Sequence, residues 1–204
     1  MTRYTGPKAK KARRFGEAFT TKDAKILTKR NYAPGQHGQS QKQKRSSEYG
    51  TQLREKQKAK WTYGIMERQF RNYFEKASSK KGVTGDALLQ MLELRLDNIV
   101  YRLGFAETRA QARQIVSHGM IQVDGEKVNI PSYQLKVGQV VAFRENKLKN
   151  KYVEALKQKI KNYQPQEWIE SNTQNLTGKV LSIPTLEQFD NKINTQLIVE
   201  LYSR

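Results

Sequence analysis

Between Leu88 and Ile130 the apolar residues change their period from helical to strand-like, and few folds can accommodate that change in so short a stretch. Leu88, Leu92, Leu96, Ile99 and Leu103 recur every three or four residues, which predicts one helix opened by Asp86 and closed by Gly104. Thr108 then begins T-R-A-Q, a capping box. Its hydroxyl accepts from a first-turn N–H, and Gln111 is expected to reach back to the Thr108 amide. Gly119 ends this second helix. Ala112, Ile115 and Val116 lie on its core face, while Arg109, Arg113 and Ser117, spaced i, i+4 and i+8, share the neighbouring stripe. Ile121 and Val123 alternate with polar residues, Asp124-Gly125 supplies a two-residue turn, and Val128 and Ile130 resume the alternation, which predicts a hairpin. Tyr133, Leu135 and Val137 alternate again, and Val140 to Phe143 reads as a further strand, so a small antiparallel sheet should complete the module.

Charge decides what class of partner such a module meets. The formal net charge is +19, and residues 1–60 hold 17 Lys and Arg against 4 Asp and Glu, so most of the excess is N-terminal. Residues 93–145 hold 7 basic and 6 acidic residues, so this part works with placed charges more than with bulk charge. A chain so basic attracts polyanions, either nucleic acid or an anionic membrane surface. Membrane is disfavoured: no apolar run is long enough to span a bilayer, and the basic N-terminus lacks the apolar core of a secretory signal. With no cysteine, disulfides and thiolate metal sites are excluded. His37 and His118 stand far apart, neither with a partner at metal-ligand spacing, so no metal and no cofactor are expected.

At 36% apolar residues in 204, two modest units with polar extensions fit better than one large core. Met1 to about Arg45 is rich in Lys, Arg, Gly and Gln, and should be extended or disordered away from its partner. Within this arm Tyr32-Ala33-Pro34-Gly35 signals a turn, continued by Gln36-His37-Gly38. Tyr32 and His37 either stack on unpaired RNA bases or belong to a plain tight loop. From Ser46-Ser47-Glu48 a basic helix runs to Lys60, and after Trp61-Thr62-Tyr63-Gly64 a second helix packs Phe70, Tyr73, Phe74 and Ala77, with Glu67 placed to pair with Arg71. Ser78 to Gly85 is a polar linker with two glycines. Val153, Leu156, Ile160 and Tyr163 mark an amphipathic helix stopped before Pro165, and Ile193 to Tyr202 suits helix or strand.

RLDN followed by YRLGFAETRAQARQIVSHGMIQVDGEKVNIPSY closely resembles the RNA-binding module of the small-subunit ribosomal protein family called S-four, a module shared with several RNA-modifying enzymes. The opening RYTGPK, the loop YAPGQHG, the run SEYGTQLREKQKAKWTYGIMERQFR and the closing LIVELYSR resemble the ribosomal family itself. The resemblance runs from Arg3 to Arg204 and is loose from about Glu145 to Lys192. It implies a primary binder of small-subunit ribosomal RNA that nucleates assembly of the subunit body and contributes to translational accuracy. It also implies neighbours of the S-five and S-three types, a place in the cytoplasm or the equivalent organellar compartment, and a short closing helix that packs on the N-terminal unit. Some relatives carry an N-terminal zinc knuckle built on cysteines, which this chain cannot form.

Arg95-Leu96-Asp97 also resembles the motif around the catalytic aspartate of pseudouridine synthases, but here it lies inside the module's first helix with no large domain after it. Asp97 is expected to pair with Arg95 or Arg102. No Walker-type loop, nucleophile elbow or paired metal-binding histidines occur. The expectation is therefore a non-enzymatic α+β protein. A mainly helical N-terminal domain with a basic extended arm (1–92, with 185–204 packed back on it) precedes a small helix-hairpin RNA-binding module with an antiparallel sheet (93–157) and a C-terminal segment (158–204). A free RNA-modifying or stress-response protein using the same module is the alternative.

The candidate RNA-binding residues are Arg3, Lys8, Lys10, Lys11, Arg13, Arg14, Tyr32, His37, Lys44, Arg45, Arg54, Lys56, Lys58, Lys60, Arg68 and Arg71 in the first domain, with Arg109, Arg113, Ser117 and His118 in the module. Spacing alone leaves open whether Arg109 and Arg113 form a phosphate-binding or merely a solvated face. No small-molecule substrate is expected.

Overall fold

A computed structural model describes residues 4–39, 47–160, 163–189 and 193–204. The chain divides into two compact units, Met1–Gly85 with Lys192–Arg204, and Asp86–Asn191. The division falls at the end of the Ser78 to Gly85 linker instead of after residue 92, and residues 158–191 belong to the second unit instead of forming a separate segment. The reason is the sheet, which draws residues 169–180 into the second core.

The first unit is helical among its described residues: α1 (Lys8–Phe15), α2 (Thr21–Lys29), α3 (Glu48–Tyr63), α4 (Glu67–Ser78) and, from the far end of the chain, α9 (Thr195–Tyr202). Of the arm expected to be extended or disordered, about half of the described residues form two short helices. Composition misleads there because a few residues suffice: Ala12 and Phe15 bury one face of α1 against α3, Thr20 caps α2 by accepting from the Asp23 N–H, and Gly16 closes α1 in the left-handed region. Ser47 caps α3 through the Gly50 N–H. The closing stretch, ambiguous by period, is a helix because Asn194 accepts from the Gln196 and Leu197 N–H groups. This helix lies on α3, and Tyr202 stacks on Phe74 at 4.6 Å and Phe70 at 6.4 Å.

The second unit contains all but the first two residues of α5 (Thr84–Glu93), then α6 (Leu96–Arg102), α7 (Arg109–Ser117) and α8 (Lys151–Lys159), with β1 (Ile121–Val123), β2 (Glu126–Lys127), β3 (Val140–Phe143), β4 (Ile169–Asn172) and β5 (Thr177–Val180). The helix expected to run unbroken from Asp86 to Gly104 is two helices. Arg95 is extended (φ −69, ψ 139), and the residues around it take non-helical partners: Leu96 N–H donates to Tyr133 O, Asp97 N–H to Pro131 O, and Leu135 N–H to Leu94 O. Residues 131–135 are thereby engaged at the break. Tyr133, Leu135 and Val137 consequently form no strand, only an isolated bridge between Gln134 and Arg95.

Asp124 and Gly125 both have positive φ, at 50° and 86°, the conformation a two-residue hairpin turn requires. The antiparallel sheet has the order β2-β1-β3-β5-β4, with Ile121 opposite Phe143 and Val141 opposite Gly178. The β4–β5 hairpin has no alternating apolar signal in the sequence, its strands being short and mostly polar. Gly178 is demanded by close approach: a Cβ there would overlap the Leu103 side chain. Around that contact Ile99, Val100 and Leu103 of α6, Val116 of α7, Ile121, Val141, Trp168, Leu176 and Val180 form one core, each at most 1% exposed. Burying such a side chain fully contributes about 1.5–3 kcal/mol, so this core orders a module of modest size.

Candidate nucleic-acid interface

In the second unit the candidate interface is built on α7. Thr108 caps it by accepting from the Gln111 N–H at 3.2 Å, but the return bond goes one residue further back, from Glu107 N–H to Gln111 Oε1 at 3.0 Å. The helix therefore starts rigidly at the turn where Arg109 stands. Arg109 lies over the Tyr101 ring, 4.5 Å from its centroid, and its Nε donates to Asn98 Oδ1 at 2.8 Å. One turn on, an Arg113 terminal nitrogen stands 3.6 Å from Asp97 Oδ2. Both arginines are half-buried, so the simple outward stripe expected from spacing is corrected: their inner sides are tied to α6. Ser117 and His118 are exposed, and Ser117 Oγ donates to Arg113 O, leaving the hydroxyl on its own helix.

Beneath these arginines lies a polar cluster that sequence reasoning found only in part. Asp97 accepts from Arg95 twice, Nε at 3.0 Å and a terminal nitrogen at 2.6 Å. Glu93, fully buried, accepts from Arg102 at 3.0 and 2.8 Å and from Asn98 Nδ2 at 2.6 Å. Asp97 thus takes Arg95 as expected, while Arg102 serves Glu93. The paired, bidentate geometry is what makes such burial tolerable for charge. For Glu93 and Asn98 the one signal in the sequence is the near balance of acids and bases in residues 93–145.

Further along the same unit, a cleft of about 480 Å³ lies between the α6–α7 connection and α8, with Tyr101, Tyr152 and Tyr163 in its wall. Tyr152 donates to Phe105 O at 2.7 Å and Tyr163 to Arg102 O at 2.9 Å. Burial pushes the Tyr152 phenol up to about 12, with a further push from the Glu107 carboxylate.

The first unit sorts its cations into two sets. Lys8, Lys10, Arg14, Arg68 and Arg71 are exposed, and Arg71 pairs with Glu75 at 3.3 Å rather than with Glu67. Lys56, Lys58 and Lys60 turn inward instead of forming an outward basic face. Lys56 and Lys60 meet Glu67 at 2.8 and 3.1 Å, and Lys58 meets Glu17 at 2.8 Å. Glu67 also accepts from Tyr202 at 2.9 Å. Burial opposes ionisation of Glu67, but these three donors outweigh it and hold its carboxyl below the usual range.

Arg54 donates to Phe15 O at 2.9 Å. Arg13 donates to Tyr32 O and Ala33 O at 3.1 and 3.2 Å, with its guanidinium 4.7 Å from the centre of the Tyr32 ring, so one ring face is already covered by protein. Lys11 sits 4.5 Å from the Trp61 ring and 5.3 Å from Tyr4. Burial, then the charges of Arg14, Lys60 and Lys10, lower its pKa. Three cations crowding a fourth mark a place short of negative charge. His37 is exposed; Arg3, Lys44 and Arg45 lie outside the described residues.

Residues 3–93 match the family described as Ribosomal protein S4/S9 N-terminal domain, and residues 94–141 match the S4 domain. Proteins named small ribosomal subunit protein uS4 are similar over their whole length. That of Parabacteroides distasonis is 56% identical, with 100% of each chain covered. Those of Bacteroides fragilis and Chloroflexus aurantiacus are 54% and 53% identical at the same coverage. An arginine-bearing helix docked on a capped helix-hairpin module, a basic helical unit before it and full-length identity above half together establish that this chain belongs to the S4 family of small-subunit ribosomal proteins, of bacterial type.

Proposed function

We infer that the chain is a structural constituent of the small ribosomal subunit, that it binds small-subunit ribosomal RNA, and that it is not an enzyme. The observation that carries the RNA-binding reading is the pair Arg109 and Arg113, one turn apart on α7 and steadied from behind by Asn98 and Asp97. Two fixed guanidiniums suit phosphates, which they engage with charge-assisted hydrogen bonds. The excess of Lys and Arg in residues 1–60 supplies long-range attraction, with exposed Lys8, Lys10, Arg14, Arg68 and Arg71 as the phosphate ligands of the first unit. Lys56, Lys58, Lys60 and Arg13 serve this surface indirectly, by holding helices and the Tyr32 loop in place.

The finer reading is that the chain is a primary binder nucleating assembly of the subunit body, contributes to translational accuracy, has neighbours of the S-five and S-three types, and works in the cytoplasm or an organelle that makes ribosomes. Structured RNA presents phosphates and 2′-hydroxyls in a fixed array while its deep groove hides base edges, so binding reads the arrangement of helices. The test is titration of the full chain with naked small-subunit ribosomal RNA. With about 6–10 phosphate contacts, affinity should fall by about three to five orders of magnitude between about 50 and 200 mM salt. Deleting one helix arm at the site should cost far more than swapping its base pairs. Failure to bind naked RNA, or failure to co-sediment with small subunits through a high-salt wash, would overturn the reading.

A further inference from the structure

We propose that Asp97 and Asn98 are positioning residues for RNA, buried polar side chains that fix Arg113 and Arg109 for two neighbouring phosphates. The proposal rests on reading α7 as RNA-facing. A chain of net charge +19 that binds a polyanion has no electrostatic reason to put carboxylates beneath its binding helix. Yet Glu93 is 0% exposed, Asp97 4% and Asn98 2%.

The two acids are already matched within the core, Asp97 by Arg95 and Glu93 by Arg102, each through two hydrogen bonds. The α7 arginines join this cluster from outside, Arg109 through Asn98 Oδ1 at 2.8 Å and Arg113 at 3.6 Å from Asp97 Oδ2. Asn98 is itself aimed, because its Nδ2 donates to both the backbone and side-chain oxygens of Glu93 at 2.9 and 2.6 Å, so that its oxygen is the atom left facing Arg109. Within these contacts four guanidiniums meet two carboxylates, and the excess positive charge lies on the α7 side.

Side chains four apart on a helix have Cβ atoms about 5–6 Å apart, a separation comparable with that of successive phosphates along one strand. A long side chain steadied before RNA arrives loses less freedom on binding than one tumbling in water. The acids therefore give up a little of the attraction between protein and RNA and in return set where the remaining charge stands.

This makes a prediction opposite in sign to bulk electrostatics. Asp97→Asn removes a negative charge and should tighten RNA binding if charge alone matters; it should weaken binding if Asp97 positions Arg113. The experiment titrates the full chain with a small-subunit ribosomal RNA transcript, using Arg113→Ala, Asp97→Asn and the double variant, each checked for native circular dichroism at the assay temperature. Each single change is expected to weaken binding about tenfold, and the double change no further, because both act through one guanidinium. Unchanged or tighter binding by Asp97→Asn, or losses that multiply in the double variant, would overturn the proposal.

Should Asp97→Asn fail to fold, Arg113→Lys decides instead: it keeps the charge at a half-buried site but not the planar fork, so binding should fall nearly as far as in Arg113→Ala. Full affinity in Arg113→Lys means that charge suffices, which overturns the positioning role alone. Full affinity in Arg113→Ala overturns the reading of α7 at this position, and the proposal with it.

Discussion

Replacing Arg102 by methionine isolates the energetics of the buried cluster. Arg102 is 2% exposed and Glu93 0%, and the two share hydrogen bonds of 3.0 and 2.8 Å. Arg102→Met keeps most of the side-chain volume and leaves Glu93 with Asn98 as its remaining partner among those contacts. Stranding one member of a buried pair costs about 3–5 kcal/mol, against a total stability of about 5–15 kcal/mol for a domain. Trp168, 1% exposed in the same core, reports the unfolding, and Trp61→Phe removes the only other tryptophan, giving one signal from the second unit. In urea the midpoint should fall by roughly 1–5 M. Adding Glu93→Met should restore at least half the loss, because the cost comes from an uncompensated charge more than from the missing attraction. If Arg102→Met costs less than about 1 kcal/mol, or if the double variant is no better than the single, lost packing and not charge explains the effect, and the reasoning fails.

Three other perturbations test separate parts of the structure. Because the Tyr152 phenol is raised in the folded state to about 12, its contribution is fully present below its ordinary value of 10.0 and is lost as pH rises towards about 12; Tyr152→Phe should flatten the alkaline decline in melting temperature, and an unchanged slope would refute the assignment. For Glu67 the lowered pKa means stability present above the ordinary 4.5 and lost as pH falls through the lower folded value, so Glu67→Gln should remove that acid sensitivity and speed amide exchange in α9, which normal exchange at residues 195–202 would contradict. Gly178→Ala would drive a methyl into Leu103 and should cost about 1–3 kcal/mol in thermal unfolding; a wild-type melting temperature would show that β5 yields there.

Local chemistry was legible in the sequence, and long-range partnerships were not. Thr108 and Gly119 bound α7 as their types require, and Asp124-Gly125 makes the hairpin turn. Each acts through bonds to residues close by. The break before α6 was hidden because Leu92 and Leu96 continue one apolar stripe across it, and what breaks it is backbone pairing with residues 131–135. Glu67 stands four residues before Arg71, a sound helical spacing, yet Lys56, Lys60 and Tyr202 claim it from other helices. The candidate arginines Arg109 and Arg113 were identified by spacing, whereas the side chains that hold them had no periodic signature, since Arg95 and Asp97 are two apart and Glu93 and Arg102 nine apart. The strands β4 and β5 carry mostly polar residues, and it is in three dimensions that Ile169 and Val180 within them, with Trp168 and Leu176 beside them, are seen to close a core.

The first unit borrows its last helix from residues made after the whole second unit, and this sets an order of events during synthesis. While a ribosome is still extending the chain, α3 and α4 exist without Tyr202, so Phe70 and Phe74 lack their stacking partner and Glu67 lacks its third donor. The second unit needs no segment from beyond itself, because its residues are contiguous in the chain. Domains usually mature from the N-terminus as they emerge; here the earlier-made unit must wait for the end of the chain. The first unit can therefore be finished only once the last residues of the chain are free to fold, however early its own helices were made.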